Sequence, residues 1–339
     1  MSVSTDKGEK MKKTFGIIFC LIICFLGIKE FNVLKTQKIL RHSLISRIDA
    51  AKKILSNDKF LCSDSTAYIA LWDTLEQRKI NIVKVKIILA DSNWKKILIP
   101  EKNSMFPSIT LRGLNAYFPN PSPLNYQLLS IKSKKCVGDK MVDLVWTPFS
   151  KGILSAELEN TGREYLKNLI AQAYKQLKNQ GVRSLANKNK LVAEMISSKI
   201  PTLLFLTENA HFGSTKKTLV FLGANRENAF INVKSKRNAF GPAQMTSPTY
   251  QLLRKKYPAA NLPVDFFAGV LDHTTAMESM ILLCDWNMRY LDNIPKSEQG
   301  RELISFYHSG VEIEKLGLIG QGYLAKCDSI RINLVANNL

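Results

Sequence analysis

The sequence lacks the short motifs of several enzyme classes. No Cys-x-x-Cys pair occurs among its six cysteines, which removes zinc-ribbon and thioredoxin-type readings. Its four histidines, His42, His211, His273 and His308, form neither His-Glu-x-x-His nor a close ligand pair, so no metal is expected. Gly-x-Ser-x-Gly and Gly-x-x-x-x-Gly-Lys-Ser/Thr are also absent, so serine-hydrolase and nucleotide-binding chemistry have no support and no cofactor is implied. Internal repeats and low-complexity tracts are missing as well. Acidic residues are in short supply, with 28 Asp and Glu against 48 Lys and Arg in 339 residues. The deficit is local: 42 basic residues face 18 acidic ones up to Lys256, and 6 face 10 beyond it. Such a surplus suits an anionic partner, whether a membrane face, a cell-wall polymer or nucleic acid. With 45% hydrophobic residues the chain can bury a core, so disorder is set aside.

The first 13 residues read as a basic cytoplasmic tail, with Lys10, Lys12 and Lys13 preceding the apolar stretch Thr14–Ile28. Its 15 residues are short of the roughly 20 that span a bilayer, although Lys13 and Lys29 can extend the reach by snorkelling. The segment around Gly27 offers no small-residue cleavage site, which favours an uncleaved signal anchor over a removed signal peptide. By the positive-inside rule the remainder would face the periplasm or the cell exterior, and would be secreted if the segment were cleaved. In an oxidising compartment Cys62 could pair with Cys136 and Cys284 with Cys327; four unpaired thiols are the equal alternative.

Helical spacing of Leu40, Leu44, Ile48 and Ile54 predicts a stalk over 30–55. The alternation of Val83, Val85 and Ile87 with Lys84 and Lys86 predicts a strand, and shorter runs at 108–111, 126–131 and 141–146 are separated by turns. Residues 56–150 therefore read as a small α+β domain without a catalytic motif. From 155 to 339 the period is helical: a long helix ended by Gly181, a second at 189–198, a third opened by Pro201, and others at 247–257, 264–291, 298–309 and 322–335. The stretch from 210 to 237 reads as a loop whose apolar run Leu219–Leu222 suggests a lid or hairpin.

Four pieces of this second half occur in a suggestive order: Leu206-Thr207-Glu208-Asn209; Ser235 followed by Gly241-Pro242-Ala243-Gln244-Met245; Pro248-Thr249-Tyr250; and Tyr307-His308-Ser309-Gly310. Together they resemble the lytic transglycosylase and goose-type lysozyme family, across residues 190–335. That family has a Glu ending an apolar helix, then a Ser, a Gly-x-x-Gln turn, a Pro-Thr, and a late Tyr-Asn-x-Gly. The resemblance implies an α+β chain whose C-terminal half is a mainly-α, lysozyme-like domain following a membrane segment. It implies cleavage of the MurNAc-GlcNAc β-1,4 bond of peptidoglycan, with 1,6-anhydro ends. Glu208 would be both acid and base, and Ser235, Gly241, Gln244, Met245, Tyr250, Tyr307 and His308 would contact the glycan. The partners implied are peptidoglycan strands, the membrane and an envelope-spanning assembly, with no nucleic acid. Asn209 and His308 depart from the pattern, as do the 26 residues between Glu208 and Ser235. These departures keep a second expectation open, a catalytically inactive peptidoglycan-binding scaffold. The residue types suit the chemistry: a carboxyl in apolar surroundings stays protonated near neutral pH and can donate to a leaving oxygen.

Overall fold

Alternating apolar residues in the first half of the chain become the strands of one antiparallel sheet. The computed structural model describes residues 34–38, 43–75, 79–90, 95–101, 106–118 and 125–336. The strands are β1 (Leu34–Lys38), β2 (Thr66–Asp73), β3 (Lys79–Leu89), β4 (Lys95–Pro100), β5 (Ile109–Arg112), β6 (Asn115–Tyr117), β7 (Tyr126–Val137) and β8 (Lys140–Trp146). They lie in the order β6-β5-β4-β3-β2-β7-β8, with β1 also paired to β3. The period of two divides β3 cleanly: Ile80 and Ile82 face one core, Val83 and Val85 another. A register slip at Ala70/Leu71 in the β2–β7 ladder marks a bulge, which adds twist. The sheet curls until its two ends meet. Just beyond β8, the Phe149 N–H donates to Leu114 O at 2.9 Å, and the Ala116 N–H donates to Phe149 O at 2.8 Å. This closure supplies partners to edges that would otherwise be open, and it wraps Ile69, Leu71, Val85, Leu98, Ile109 and Leu128 into an inner core.

The outer face of the curl is covered by helices. They are α1 (Leu44–Leu55), α2 (Ala156–Asn179), α3 (Val192–Met195), α4 (Lys199–Glu208), α5 (Thr215–Asn225), α6 (Ser247–Lys256), α7 (Phe266–Leu271), α8 (His273–Met288), α9 (Lys296–Ser309) and α10 (Leu318–Ala336). Ends follow from local chemistry. Ser155 and Ser214 cap α2 and α5 through their hydroxyls, Asp265 and Asp272 cap α7 and α8, and glycines at 181 and 310 take the left-handed conformation that follows α2 and α9. Asp272 explains why the expected 264–291 helix is two helices. Its carboxylate accepts from Thr275 N and so starts a new helix.

Several expectations are corrected here. The anticipated fold class, a mainly-α lysozyme-like domain following a membrane segment and a small α+β domain, is not what the chain adopts. One continuous core runs from α1 and the outer sheet face (Ile48, Trp72, Ile82, Trp146) into the helices (Leu158, Phe205, Ile281, Leu324), so helices and curled sheet form a single α+β assembly. The tail at 1–13 and the segment Thr14–Ile28 lie outside the described residues, and among those described no helix is long and apolar enough to cross a membrane. The stalk expected over 30–55 is helical from Leu44, and Leu34–Lys38 is a strand on β3. The loop-like stretch before 237 contains α5. Eight of its eleven residues are buried, so it shows no amphipathic period to reveal it. Cys62, Cys136, Cys284 and Cys327 are all free thiols.

Helices α2 and α5 pack backbone against backbone. A Cβ added at Gly162 would overlap the Leu219 carbonyl oxygen, and one at Gly223 would overlap that of Leu158. Gly162→Ala and Gly223→Ala are each expected to destabilise by about 3 kcal/mol or more through overpacking. Gly181→Ala meets no neighbour within 4 Å and carries a left-handed penalty of about 1–2 kcal/mol. Urea unfolding of the three variants measures this; equal losses would disprove the backbone contact as the cause.

Candidate active site

Glu208 is the last residue of α4, a helix buried along Leu203, Leu204, Phe205, Leu206 and Thr207. Its carboxyl therefore sits at the negative end of a helix in apolar surroundings, two features that both oppose ionisation. Burial pushes it up to about 7, against the opposing pull of a hydrogen bond from Tyr323 and the charge of Lys326. The Tyr323 hydroxyl donates to Glu208 Oε1 at 2.7 Å. Beside Glu208, the buried Asn209 amide donates to Phe205 O at 2.8 Å and to Pro242 O at 2.7 Å, which joins the end of α4 to the Gly241–Gln244 turn.

That turn links two short strands, β9 (Ala239–Phe240) and β10 (Met245–Thr246), which pair with each other. Gly241 at φ 71° is required twice over, since any Cβ there would also overlap Val270 O. Gln244 is left-handed too, at φ 48°, and its side-chain amide donates to Gly241 O at 2.8 Å. Tyr307, on α9, reaches the same turn and donates its hydroxyl to Ala243 O at 2.8 Å. Burial first and the Glu208 charge second hold the Tyr307 phenol well above its ordinary range. The His308 ring lies on Tyr323 with centroids 3.9 Å apart, and burial with the charges of Arg237 and Lys326 keeps it below the usual histidine value.

The chain thus brings Glu208, the Gly241–Gln244 turn and the adjacent Tyr307 and His308 together from three separate places in the sequence. Ser235, Met245 and Tyr250 do other work. The Ser235 hydroxyl accepts from Arg237 N and Ala239 N and so shapes the approach to β9. Met245 is buried. Tyr250 is fully buried, packs on Gly269 and donates to Pro263 O at 3.1 Å. Of the groups that surround Glu208, Tyr323 carried no motif in the sequence, and its place is set by the packing of α10 on α4.

A second carboxylate fits the same sequence pattern. Glu227 is exposed in the 3-10 turn that ends α5, and seven residues separate it from Ser235 instead of 26. It lines a cavity of about 490 Å³ with Tyr165, Asn168, Gln172, Asp272 and His273. The Tyr165 hydroxyl meets His273 Nδ1 at 3.0 Å, while His273 Nε2 lies 2.8 Å from Ala229 O. Because a carbonyl only accepts, Nε2 is the protonated nitrogen and Nδ1 accepts from the phenol. The apolar Leu219–Leu222 run precedes this carboxylate, but without an amphipathic period it does not tell a helix from a hairpin. Neither carboxyl is recognised by comparison with other proteins, since no family model, curated protein or solved structure matches the chain.

A raised carboxyl pKa has a thermodynamic sign. Glu208 titrates near 7 in the fold against 4.5 ordinarily, so its contribution to stability is complete below about 4.5 and disappears as pH rises through about 7. Glu278 on α8, buried with an unpartnered Oε1, is also raised to about 7 by burial and by Asp272. Glu208→Gln and Glu278→Gln should therefore each gain stability relative to the parent between pH 4.5 and 8. Urea midpoints measured across that range test this, and a difference independent of pH would contradict it.

Proposed function

We propose that this chain cleaves the β-1,4 linkages of peptidoglycan as a lytic transglycosylase, with Glu208 as acid and then base. The observation that carries the reading is the Glu208 carboxyl itself, held near 7 at the end of a buried helix and set against the Gly241–Gln244 turn. Protonated, it donates to the glycosidic oxygen as the bond to the anomeric carbon breaks. The resulting carboxylate stabilises the developing positive charge and accepts the proton of the sugar's own 6-hydroxyl as that oxygen closes on the anomeric carbon. The product is a 1,6-anhydro sugar, and the acid is regenerated without water or a second carboxylate. Tyr323 tempers the acid by donating to its charged form. The basic first 256 residues suit an anionic envelope, and the lysine-flanked stretch Thr14–Ile28 suits export toward it.

One observation favours a non-catalytic glycan-binding scaffold instead. The Tyr307 hydroxyl donates to Ala243 O and the His308 ring packs on Tyr323, so both side chains are already engaged within the protein. Incubation of the full chain with insoluble peptidoglycan separates the two readings. Soluble muropeptides with 1,6-anhydro ends are expected, and Glu208→Gln should lower their release by at least about 100-fold with folding intact. Retention on the wall without release would support the scaffold, and plain reducing ends would mean hydrolysis. Glu227→Gln run alongside should leave release unchanged; loss there and not at Glu208 would move the acid to Glu227.

The pH profile gives an independent check. Turnover should fall as pH rises above about 7, because the acid must be protonated. Tyr323→Phe removes a hydrogen bond to the carboxylate, so it should move that descending limb to higher pH. An unmoved limb would show that Glu208 is not the group being titrated.

A further inference from the structure

On the side of α4 away from the turn lies a larger opening, of about 1090 Å³, formed by α2, α4, α5 and the end of α10. Its volume lies at the upper end of small-molecule sites, which run to about 1,000 Å³. The floor is aliphatic: Leu166, Ile170, Leu203, Leu206, Leu219 and Leu334 all contribute. A surface that concave and that apolar has no counterpart in a glycan, whose hydroxyls would lose water there without gaining partners.

The charged residues around it are not balanced. Arg163, Lys167, Lys199 and Arg331 line the opening, and Glu164 is the one acid among the lining residues. Arg331 is engaged by Asp328 at 3.3 Å. Arg163 is engaged at one nitrogen, Nη2, by Glu159 at 3.1 Å, while its Nη1 is buried and has no hydrogen-bond partner. Lys167 and Lys199 have no side-chain partner among the described residues. What faces the opening is thus a surplus of positive charge from Arg163, Lys167 and Lys199 beside an aliphatic trough, which an anionic group attached to an apolar chain would complement.

We propose that this groove binds a single-chain amphiphile: an alkyl chain lying along Leu166, Leu203 and Leu206, with an anionic head, carboxylate or phosphate, against the Arg163 guanidinium and the neighbouring lysines. The site is separate from Glu208 and does not depend on the glycan-cleaving reading. Occupancy involves no covalent step.

A dansyl-labelled undecanoate added to the full chain reads the groove directly. Its fluorescence should rise saturably to one site per chain, and palmitate and hexadecyl phosphate should displace it. Hexadecanol, which has the chain without the charge, should compete about tenfold less well than palmitate, the scale of one charge-assisted hydrogen bond. Arg163→Gln should abolish that preference for the anion while leaving hexadecanol binding in place. Ala171→Trp, an exposed lining position that tolerates a larger side chain, should fill the trough and lower the affinity of every ligand at least tenfold. Displacement by palmitate alone assigns the head to a carboxylate, and displacement by hexadecyl phosphate alone assigns it to a phosphate. The proposal is overturned if the probe shows no saturable signal, or if it binds both variants as it binds the parent while circular dichroism shows them folded.

Discussion

The backbone contact between α2 and α5 is the constraint on which the rest of the helical layer depends. Gly162 and Gly223 face each other's helices so closely that neither tolerates a side chain. This fixes both the distance and the rotation of α5 on α2. The far end of α5 is then tied to the sheet by Asn225, whose Oδ1 accepts from Thr147 N at 2.7 Å while its Nδ2 donates to Thr147 O at 2.9 Å and Phe221 O at 3.0 Å. Lys52 of α1 adds a bond to Ala224 O, and burial lowers its ammonium to about 8. Held at both ends, α5 has no slack, and the chain leaving it must turn through left-handed residues at Arg226 and Phe230. From there the route to the Gly241–Gln244 turn is set. The position of that turn against Glu208 is thus a consequence of helix packing two elements earlier.

Three interior carboxylates show how differently the same group is used. Asp285 on α8 is fully buried and accepts from Ser184 Oγ at 2.6 Å, Leu185 N at 2.8 Å and Tyr257 OH at 2.7 Å. Three donors satisfy its charge, and it holds the segment before α3 and the end of α6 onto the core. Glu278, seven residues back on the same helix, has one oxygen without a partner, and its charged form is disfavoured. Glu208 is intermediate, with one phenol donor and one nearby cation. An acid that must give up and recover a proton needs that intermediate state: enough support to bear a charge, and too little to keep it.

Much of the sheet was legible in the sequence because period two is explicit in segments such as Val83–Ile87. The curl was not, because it rests on contacts between Phe149 and the Leu114–Ala116 stretch, more than thirty residues away. Helices with one wet face, such as α2 and α9, announced themselves by spacing. Helix α5 did not, since burial on all sides removes the period that identifies a helix. The same effect concealed that sheet and helices share a core: a residue such as Trp146 carries no mark of whether its neighbours are strands or helices. Of the site, Glu208, Gly241, Gln244 and Tyr307 were readable as an ordered set of residue types. Tyr323 was not, because a phenol aimed at a carboxylate from a distant helix leaves no spacing to read.

Helix α4 joins the two halves of the functional argument. Its C-terminal residue is Glu208, and one turn earlier Leu203 and Leu206 line the aliphatic groove. With only ten residues, the helix is too short to bend between these points, so it moves as a rigid rod or not at all. Hydrogen bonds hold its Glu208 end, from Asn209 to Pro242 O and from Cys327 of α10 to Thr207. The groove and the carboxyl thus share one short helix, whose last turn is held by the Asn209 bond to Pro242 O and the Tyr323 bond to Glu208.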